Sequence, residues 1–259
     1  MRTAFTALAL LAGTILFGSI TLLAELLGRP RGPDSIYTKT PRWWASWLLG
    51  AAGVKVVVHG GEHELPEGAP RVFMANHVSW FDIPAMIAAL PHYGFVAKRE
   101  IERVPLFGSA ARAVGVIYID RENRKAAFSA YDDAASKIRA GHPVLVYPEG
   151  TRGFTYALRP FKKGPFVLAI GSAAPIVPVV IYGTIAVNPR TEFRASPGTV
   201  HVHLLEPIPT EGLTYADRDE LAARVRQRMA DCLRAHYRVD PAIEPSHQAA
   251  AREPEQASA

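Results

Sequence analysis

Two short polar clusters carry residues able to do chemistry, and each ends an apolar run. In the first, Arg71-Val-Phe-Met-Ala leads into Asn76-His77-Val78-Ser79-Trp80-Phe81-Asp82, and then into Ile83-Pro84. The five-residue step from His77 to Asp82 is not an ideal same-face helical spacing, because helix neighbours lie three or four apart. With His77 in a turn and Asp82 in the first helical turn, however, the carboxylate can reach the imidazole. That pairing would fix the tautomer and stabilise the imidazolium, as a general base taking a proton from an alcohol requires. A plainer reading makes Asp82 a helix N-cap ahead of Pro84 and His77 an ordinary loop residue. Another makes Ser79 a nucleophile beside a histidine, although no Gly-x-Ser-x-Gly elbow surrounds it. No third metal ligand stands at a recognisable spacing, and His201 and His203 alternate on an apparently ordinary strand, so no metal is expected.

The second cluster is Val144-Leu-Val-Tyr147-Pro148-Glu149-Gly150-Thr151-Arg152. Gly150 lets backbone approach a ligand closely, and Arg152 offers a planar fork that matches phosphate oxygens. Glu149 fits such a site only if it binds sugar or glycerol hydroxyls or holds Arg152 in place; a turn with a salt bridge is the alternative. Basic residues recur at other strand ends, in Lys98-Arg99-Glu100, in Asp120-Arg121 and in Phe161-Lys162-Lys163-Gly164. They could converge on one phosphate, with Arg121 the best placed.

These clusters need a scaffold, and the 259 residues, 49% of them hydrophobic, suffice for one sizeable core. After Gly53 the chain reads as seven β-rich runs: Val54–His59, Arg71–Ala75, Gly94–Lys98, Gly115–Asp120, Pro143–Tyr147, Pro175–Tyr182 and 200–205. Several are apolar throughout instead of alternating, as expected when helices cover both faces. Helical patterns at Ile83–Leu90, Arg124–Ala140 and Tyr215–Tyr237 lie between or after them. The fold class is α/β, with a central seven-stranded, largely parallel or mixed sheet flanked by helices.

Before it, Ala4 to Ala24 carries no charge and, at about 1.5 Å per residue, reaches roughly 30 Å, the thickness of a hydrocarbon core. The run continues into Glu25-Leu-Leu-Gly without a cleavage site, which favours retention over a signal peptide. Arg29, Arg31, Lys39 and Arg42 follow it while Arg2 precedes it, placing the rest of the chain in the cytoplasm. Trp43, Trp44 and Trp47 read as an interfacial helix, or as packing on the domain. The segment either spans the membrane or lies in one leaflet as half of a two-helix motif. The division is then 1–53 for anchor and interfacial helix, 54–239 for the catalytic domain, and 240–259 for a polar tail expected to be disordered. The single cysteine, Cys232, allows no internal disulfide and reads as a packed thiol in a reducing compartment. The excess of 29 Lys and Arg over 24 Asp and Glu suits an anionic membrane or a phosphorylated substrate better than nucleic acid.

Taken together, these segments resemble the bacterial PlsC-type 1-acyl-sn-glycerol-3-phosphate acyltransferases. Four blocks stand in the family's order: His77 to Asp82 for its His-x-x-x-x-Asp, Gly115 to Arg121, Glu149-Gly-Thr-Arg152, and Pro178 within Ile176-Val-Pro-Val179. Lys98 and the turn Pro105-Leu-Phe-Gly108 also fit, and the resemblance covers roughly Val54 to Leu205. It implies the glycerolipid acyltransferase fold and transfer without a covalent acyl-enzyme. His77, held by Asp82, deprotonates the sn-2 hydroxyl of 1-acylglycerol 3-phosphate, which attacks the thioester of acyl-CoA or acyl carrier protein. Phosphatidic acid for phospholipid biosynthesis results, with no cofactor beyond the thioester co-substrate. By the same resemblance Arg121, Glu149, Gly150, Thr151, Arg152 and Lys98 bind the glycerol phosphate, Asn76 and Ser79 support the site, and Pro178 shapes the acyl side. Backbone N–H groups near the motif are the usual device for holding the oxyanion. The expected location is the bacterial inner membrane with the catalytic domain facing the cytoplasm, and no nucleic acid is an expected partner. The alternatives are another acceptor such as lyso-ornithine lipid, a membrane-bound serine hydrolase, and a non-catalytic lipid-binding module.

Overall fold

A computed structural model of the chain describes residues 1–63, 65–66, 68–90, 93–120 and 124–241. Arg121, and the tail beyond residue 241, lie outside them. The chain opens with two helices, α1 (Arg2–Leu26) and α2 (Ile36–Ala52), the second ending on Gly53 in the left-handed conformation that glycine tolerates. Seven strands follow: β1 (Val54–His59), β2 (Val72–Ala75), β3 (Gly94–Lys98), β4 (Ile117–Ile119), β5 (Val144–Val146), β6 (Ile176–Tyr182) and β7 (Gly198–Leu204). All seven expected runs are present: β1 and β3 as read, β2, β5 and β6 trimmed by a residue or two, β4 shortened by three, and β7 shifted toward the N-terminus. Between and after them come α3 (Asp82–Ala89), α4 (Phe107–Ala113), α5 (Arg124–Arg139), α6 (Gly164–Ser172), α7 (Thr184–Val187) and α8 (Arg218–Tyr237). The hydrophobic pattern did not announce α4, α6 and α7; α4 and α7 are too short for a period of 3.6 to register, and α6 is apolar almost throughout.

The strands form one sheet in the order β1-β7-β6-β2-β5-β3-β4. β6, β2, β5, β3 and β4 run parallel to one another; β7 is antiparallel to β6 and parallel to β1. Every residue of β2 and β5 is buried, as strands covered on both faces must be. One face packs Phe73, Leu145, Val177 and Val179 against Leu48 and Leu49 of α2 and Met86 of α3. The other packs Met74, Val146, Ile176 and Val180 against Ile138 of α5, Phe166 of α6 and Val225 of α8. Pro178 sits within β6 opposite Met74 of β2, and its carbonyl accepts from Leu205 N–H just past the end of β7. Its missing donor therefore costs only the last rung of the β6–β7 ladder.

Helices α1 and α2 pack as a hairpin. Trp44 Nε1–H donates to Thr14 Oγ1 at 3.1 Å and Trp47 Nε1–H to Ala9 O at 2.8 Å, while Thr21 and Thr40 hydroxyls bond at 2.7 Å. A Cβ on Gly13 would come within 2.9 Å of the Trp47 ring, so α1 needs a glycine there for this approach. Trp44 and Trp47 thus serve the hairpin through their N–H groups. Phe5, Leu8, Leu11, Ile15 and Leu16 project from the far side of α1 into solvent, and α1 is long and apolar enough to cross a membrane.

Candidate active site

Strand order assembles the site. β2, β5, β3 and β4 are parallel neighbours, so the segments after each of them emerge at one edge, the carboxyl-end crevice where ligands bind in open α/β sheets. His77 follows β2, Glu149–Arg152 follow β5, and Lys98 closes β3. Arg121, two residues past the end of β4, is outside the described residues.

Asp82 is fully buried at the first residue of α3. Its Oδ2 accepts from Val78 N–H at 2.7 Å, from Ser79 N–H at 2.8 Å, and from the His77 ring at Nδ1, 2.7 Å away. A carboxylate only accepts, so Nδ1 carries the ring proton and Nε2 keeps its lone pair. Asp82 thus ties the preceding turn together and partners the imidazole; it is the first residue of α3, whose N-cap is Phe81, so the N-cap reading does not hold. The His77 ring stacks on Tyr147, with centroids 4.1 Å apart and planes 17° off parallel. Burial holds the Tyr147 phenol well above its ordinary value, reinforced by Asp82 and Tyr93 nearby. It therefore stays neutral beside the imidazole.

Ser79 is not free to attack. Its buried hydroxyl donates to Asn188 O at 2.7 Å and accepts from Phe81 N–H at 3.1 Å, tying the motif to the loop after α7. Asn76 is also buried, its amide bonded both ways to the Ile181 backbone of β6 at 2.7 and 3.0 Å. Both residues clamp the loop, as supporting residues would. The motif's own N–H groups are largely spent: Val78 and Ser79 on Asp82, Phe81 on Ser79, and His77 on Glu149. None of these four is available to an oxyanion, contrary to the usual device.

Tyr147 to Gly150 close a turn, Gly150 N–H donating to Tyr147 O at 3.0 Å with Gly150 at φ 74°; proline in second place and glycine in fourth favour such a turn. Glu149 points inward, 2% exposed, its oxygens accepting from His77 N–H at 2.8 Å and Arg159 N–H at 3.0 Å. Burial pushes its carboxyl up to about 8, with those backbone donors pulling it back. The expected glycerol-phosphate contact by Glu149 is thus corrected: both oxygens are committed to backbone, and the residue braces the β5 loop against the β2 loop. Gly153 N–H donates to His77 O at 2.7 Å, a second brace one residue from Arg152.

Arg152 lies over the Trp80 ring, its guanidinium carbon 4.7 Å from the centroid. Burial lowers its pKa and Arg190 lowers it further; Arg190 donates to the Arg152 carbonyl and stacks on Phe154. Among the described residues no carboxylate pairs with Arg152, so two guanidinia share a neighbourhood that an anion would relieve. Trp80, Tyr147 and Arg190 are site residues that the sequence reading passed over. Trp80 and Tyr147 stood beside the quoted motifs; no local pattern points to Arg190.

His77, Lys98, Gly150, Thr151 and Arg152 line one cleft of about 1680 Å³, shared with Phe17 and Gly18 of α1, Trp44 of α2 and Phe107 of α4. The volume exceeds the roughly 300–1,000 Å³ of a drug-sized site, and its lining combines apolar side chains with an imidazole and cations, Arg42 of α2 and Arg112 of α4 among them. Pro178 and Glu149 are not part of that lining, so the expected shaping of the acyl side by Pro178 is not made by contact with the cleft.

The pattern that defines the Acyltransferase family matches residues 55–182. The sheep 1-acyl-sn-glycerol-3-phosphate acyltransferase alpha (Ovis aries) is 34% identical over 232 residues, covering 89% of this chain and 80% of its own. The chain belongs to the PlsC-type 1-acyl-sn-glycerol-3-phosphate acyltransferase family. It is therefore an acyltransferase, acting on a lysolipid acceptor and an acyl donor. Another relative, the lyso-ornithine lipid O-acyltransferase of Pseudomonas aeruginosa, is 31% identical, covering 85% of this chain and 89% of its own. The fold is shared with the crystal structure of the 1-acyl-sn-glycerophosphate acyltransferase PlsC from Thermotoga maritima. The TM-score is 0.74 at 24% identity, over 91% of this chain and 97% of that one.

Proposed function

We propose that this acyltransferase transfers an acyl chain from acyl-CoA or acyl carrier protein to the sn-2 hydroxyl of 1-acylglycerol 3-phosphate, giving phosphatidic acid. His77 Nε2 takes the hydroxyl proton while Asp82 stabilises the resulting imidazolium. The alkoxide oxygen forms the ester bond to the thioester carbonyl carbon, the C–S bond breaks, and the imidazolium returns its proton to the departing sulfur. Arg152, backed by Arg190, takes the acceptor phosphate with help from Gly150, Thr151, Lys98 and Arg121, and the apolar lining takes acyl chain. The observation that carries this reading is the joint placement, on one largely apolar cleft, of an Asp-held imidazole and a guanidinium with no carboxylate partner among the described residues.

The same reading seats α1 in a bacterial inner membrane with the sheet domain on the cytoplasmic side. It is supported by the apolar helix and by the basic residues Arg29, Arg31, Lys39 and Arg42 that follow it. A lyso-ornithine acceptor is the second reading, favoured by the Pseudomonas relative. Purified full-length protein in mixed micelles, given both lysolipids with each donor, separates them. The phosphate acceptor is expected to show the higher kcat/KM; equal or better use of the phosphate-free lysolipid would overturn the proposal.

A further inference from the structure

A second cluster of reactive side chains lies away from the cleft, where the C-terminal end of α8 meets β7. His201 and His203 alternate on β7, and His59 of β1 stands in register with His203, so the period of two puts all three rings on one face. The His59 and His203 rings stack with centroids 4.3 Å apart, and His59 Nε2 lies 3.0 Å from His201 Nδ1. From above, α8 contributes Cys232 and His236, four residues apart and so on one side of the helix. The His236 ring lies 4.8 Å from that of His203, and Tyr237 OH is 2.6 Å from His203 Nε2. One ligand atom from each of His203, Cys232 and His236 lies within 4.8 Å of the other two, and no other such trio of histidine, cysteine or acidic residues occurs among the described residues.

We propose that His203, Cys232 and His236 form a binding site for a zinc-class divalent transition-metal ion that staples α8 to the sheet. Two imidazoles and a thiolate are the borderline-soft donor set that zinc takes and that magnesium and calcium refuse. A tetrahedral ion at ~2.0–2.1 Å from nitrogen and ~2.3 Å from sulfur holds its ligand atoms roughly 3.3–3.8 Å apart. The trio must therefore close by about 1 Å, which rotation of the side chains alone can supply. His203 and Cys232 are buried while His236 is exposed, so two ligands are pre-set and the third gives the ion its way in. Tyr237 OH supplies the additional hydrogen bond that orients a ligating histidine. The fourth position falls to water. Coordination converts the Cys232 thiol to thiolate, its proton passing to solvent. None of these residues lines the catalytic cleft, so the ion has no part in acyl transfer. The alternating histidines read from sequence as ordinary strand residues thus acquire partners that only the sheet and α8 bring.

The test uses tag-free, full-length protein in detergent, stripped with chelator and titrated with Co2+ as a coloured stand-in for Zn2+. One equivalent per chain is expected, with a thiolate-to-cobalt charge-transfer band in the near ultraviolet that Zn2+ abolishes. Tm is expected to rise by about 5 °C or more at metal a hundredfold above Kd. Cys232→Ser should remove the band, and His236→Ala, at an exposed position that leaves folding intact, should weaken binding on the order of 100-fold. Acyl transfer by metal-free His236→Ala should equal that of metal-free wild type. Absence of stoichiometric binding, cobalt binding without the thiolate band, or unchanged affinity in His236→Ala would each overturn the proposal.

Discussion

The loop after β2 makes its decisive bonds within itself: between residues 77 and 82, one carboxylate oxygen gathers two backbone N–H groups and an imidazole. The loop after β5 makes its bonds elsewhere. Glu149 reaches back to His77 and forward to Arg159, while Arg152 rests on Trp80 and has Arg190 behind it. A base and carboxylate paired within one short loop, itself clamped from outside through Asn76 and Ser79, keep a fixed geometry that suits the proton-transfer step, where small displacements are costly. A loop built from distant contacts takes its shape from the packed protein, and suits the task of fitting a substrate headgroup against a wall. Glu149 joins the two, since the first loop's starting N–H is held by a side chain of the second.

Breaking the local loop should cost most. His77→Ala is expected to lower kcat by about 10²–10⁴-fold with membrane association intact, measured by acyl transfer and vesicle sedimentation. Asp82→Asn should match that loss, because the amide cannot accept from the ring and both loop N–H groups on one oxygen as the carboxylate does. Near-normal turnover in either variant would remove the base from the mechanism. Breaking the distant contact comes next: Arg152→Ala should reduce kcat/KM for the phosphate-bearing acceptor by roughly 10–100-fold, the equivalent of a charge-assisted hydrogen bond. An equal loss with a phosphate-free lysolipid would deny it the phosphate.

Glu149 sharpens the comparison through pH. Its native carboxyl, pushed up to about 8 by burial, binds a proton more tightly than the unfolded chain does near 4.5. Its contribution is therefore fully present below the unfolded value and is lost as pH rises through the native one. Wild-type Tm should decline between roughly pH 4.5 and 8 by an amount that Glu149→Gln abolishes. A wild-type slope retained in the variant would show that another group carries it. Ser79→Ala should have the smallest effect, within about threefold on kcat with roughly 1 kcal/mol lost from the bond to Asn188. Collapse of turnover with the fold intact would instead revive a serine nucleophile.

Much of this is legible in the amino-acid sequence. The seven strands followed from short apolar runs, and the pairing of His77 with Asp82 followed from a turn running into a helix. The turn at Glu149 stood as the alternative reading, but with a salt bridge where the structure has backbone bonds. The inward direction of Glu149 could not be read, because a glutamate in a Gly-Thr-Arg loop looks the same whether it faces substrate or backbone. Its orientation is set by two N–H groups, one of them 72 residues away. The place of Pro178 was obscured in a similar way: an apolar strand displays no sidedness when both its faces are buried.

Sequence alone determined what local spacing can encode, namely which stretches extend, which coil, and how a base and its carboxylate sit within one turn. Tertiary structure decided which stretches became neighbours. The strand order places β5 beside β2, and hence Arg152 near His77; the antiparallel return of β7 puts His203 beneath Cys232 and His236. These juxtapositions arise because each strand must bury both faces against particular helices, a requirement settled by the whole core and not by any one segment.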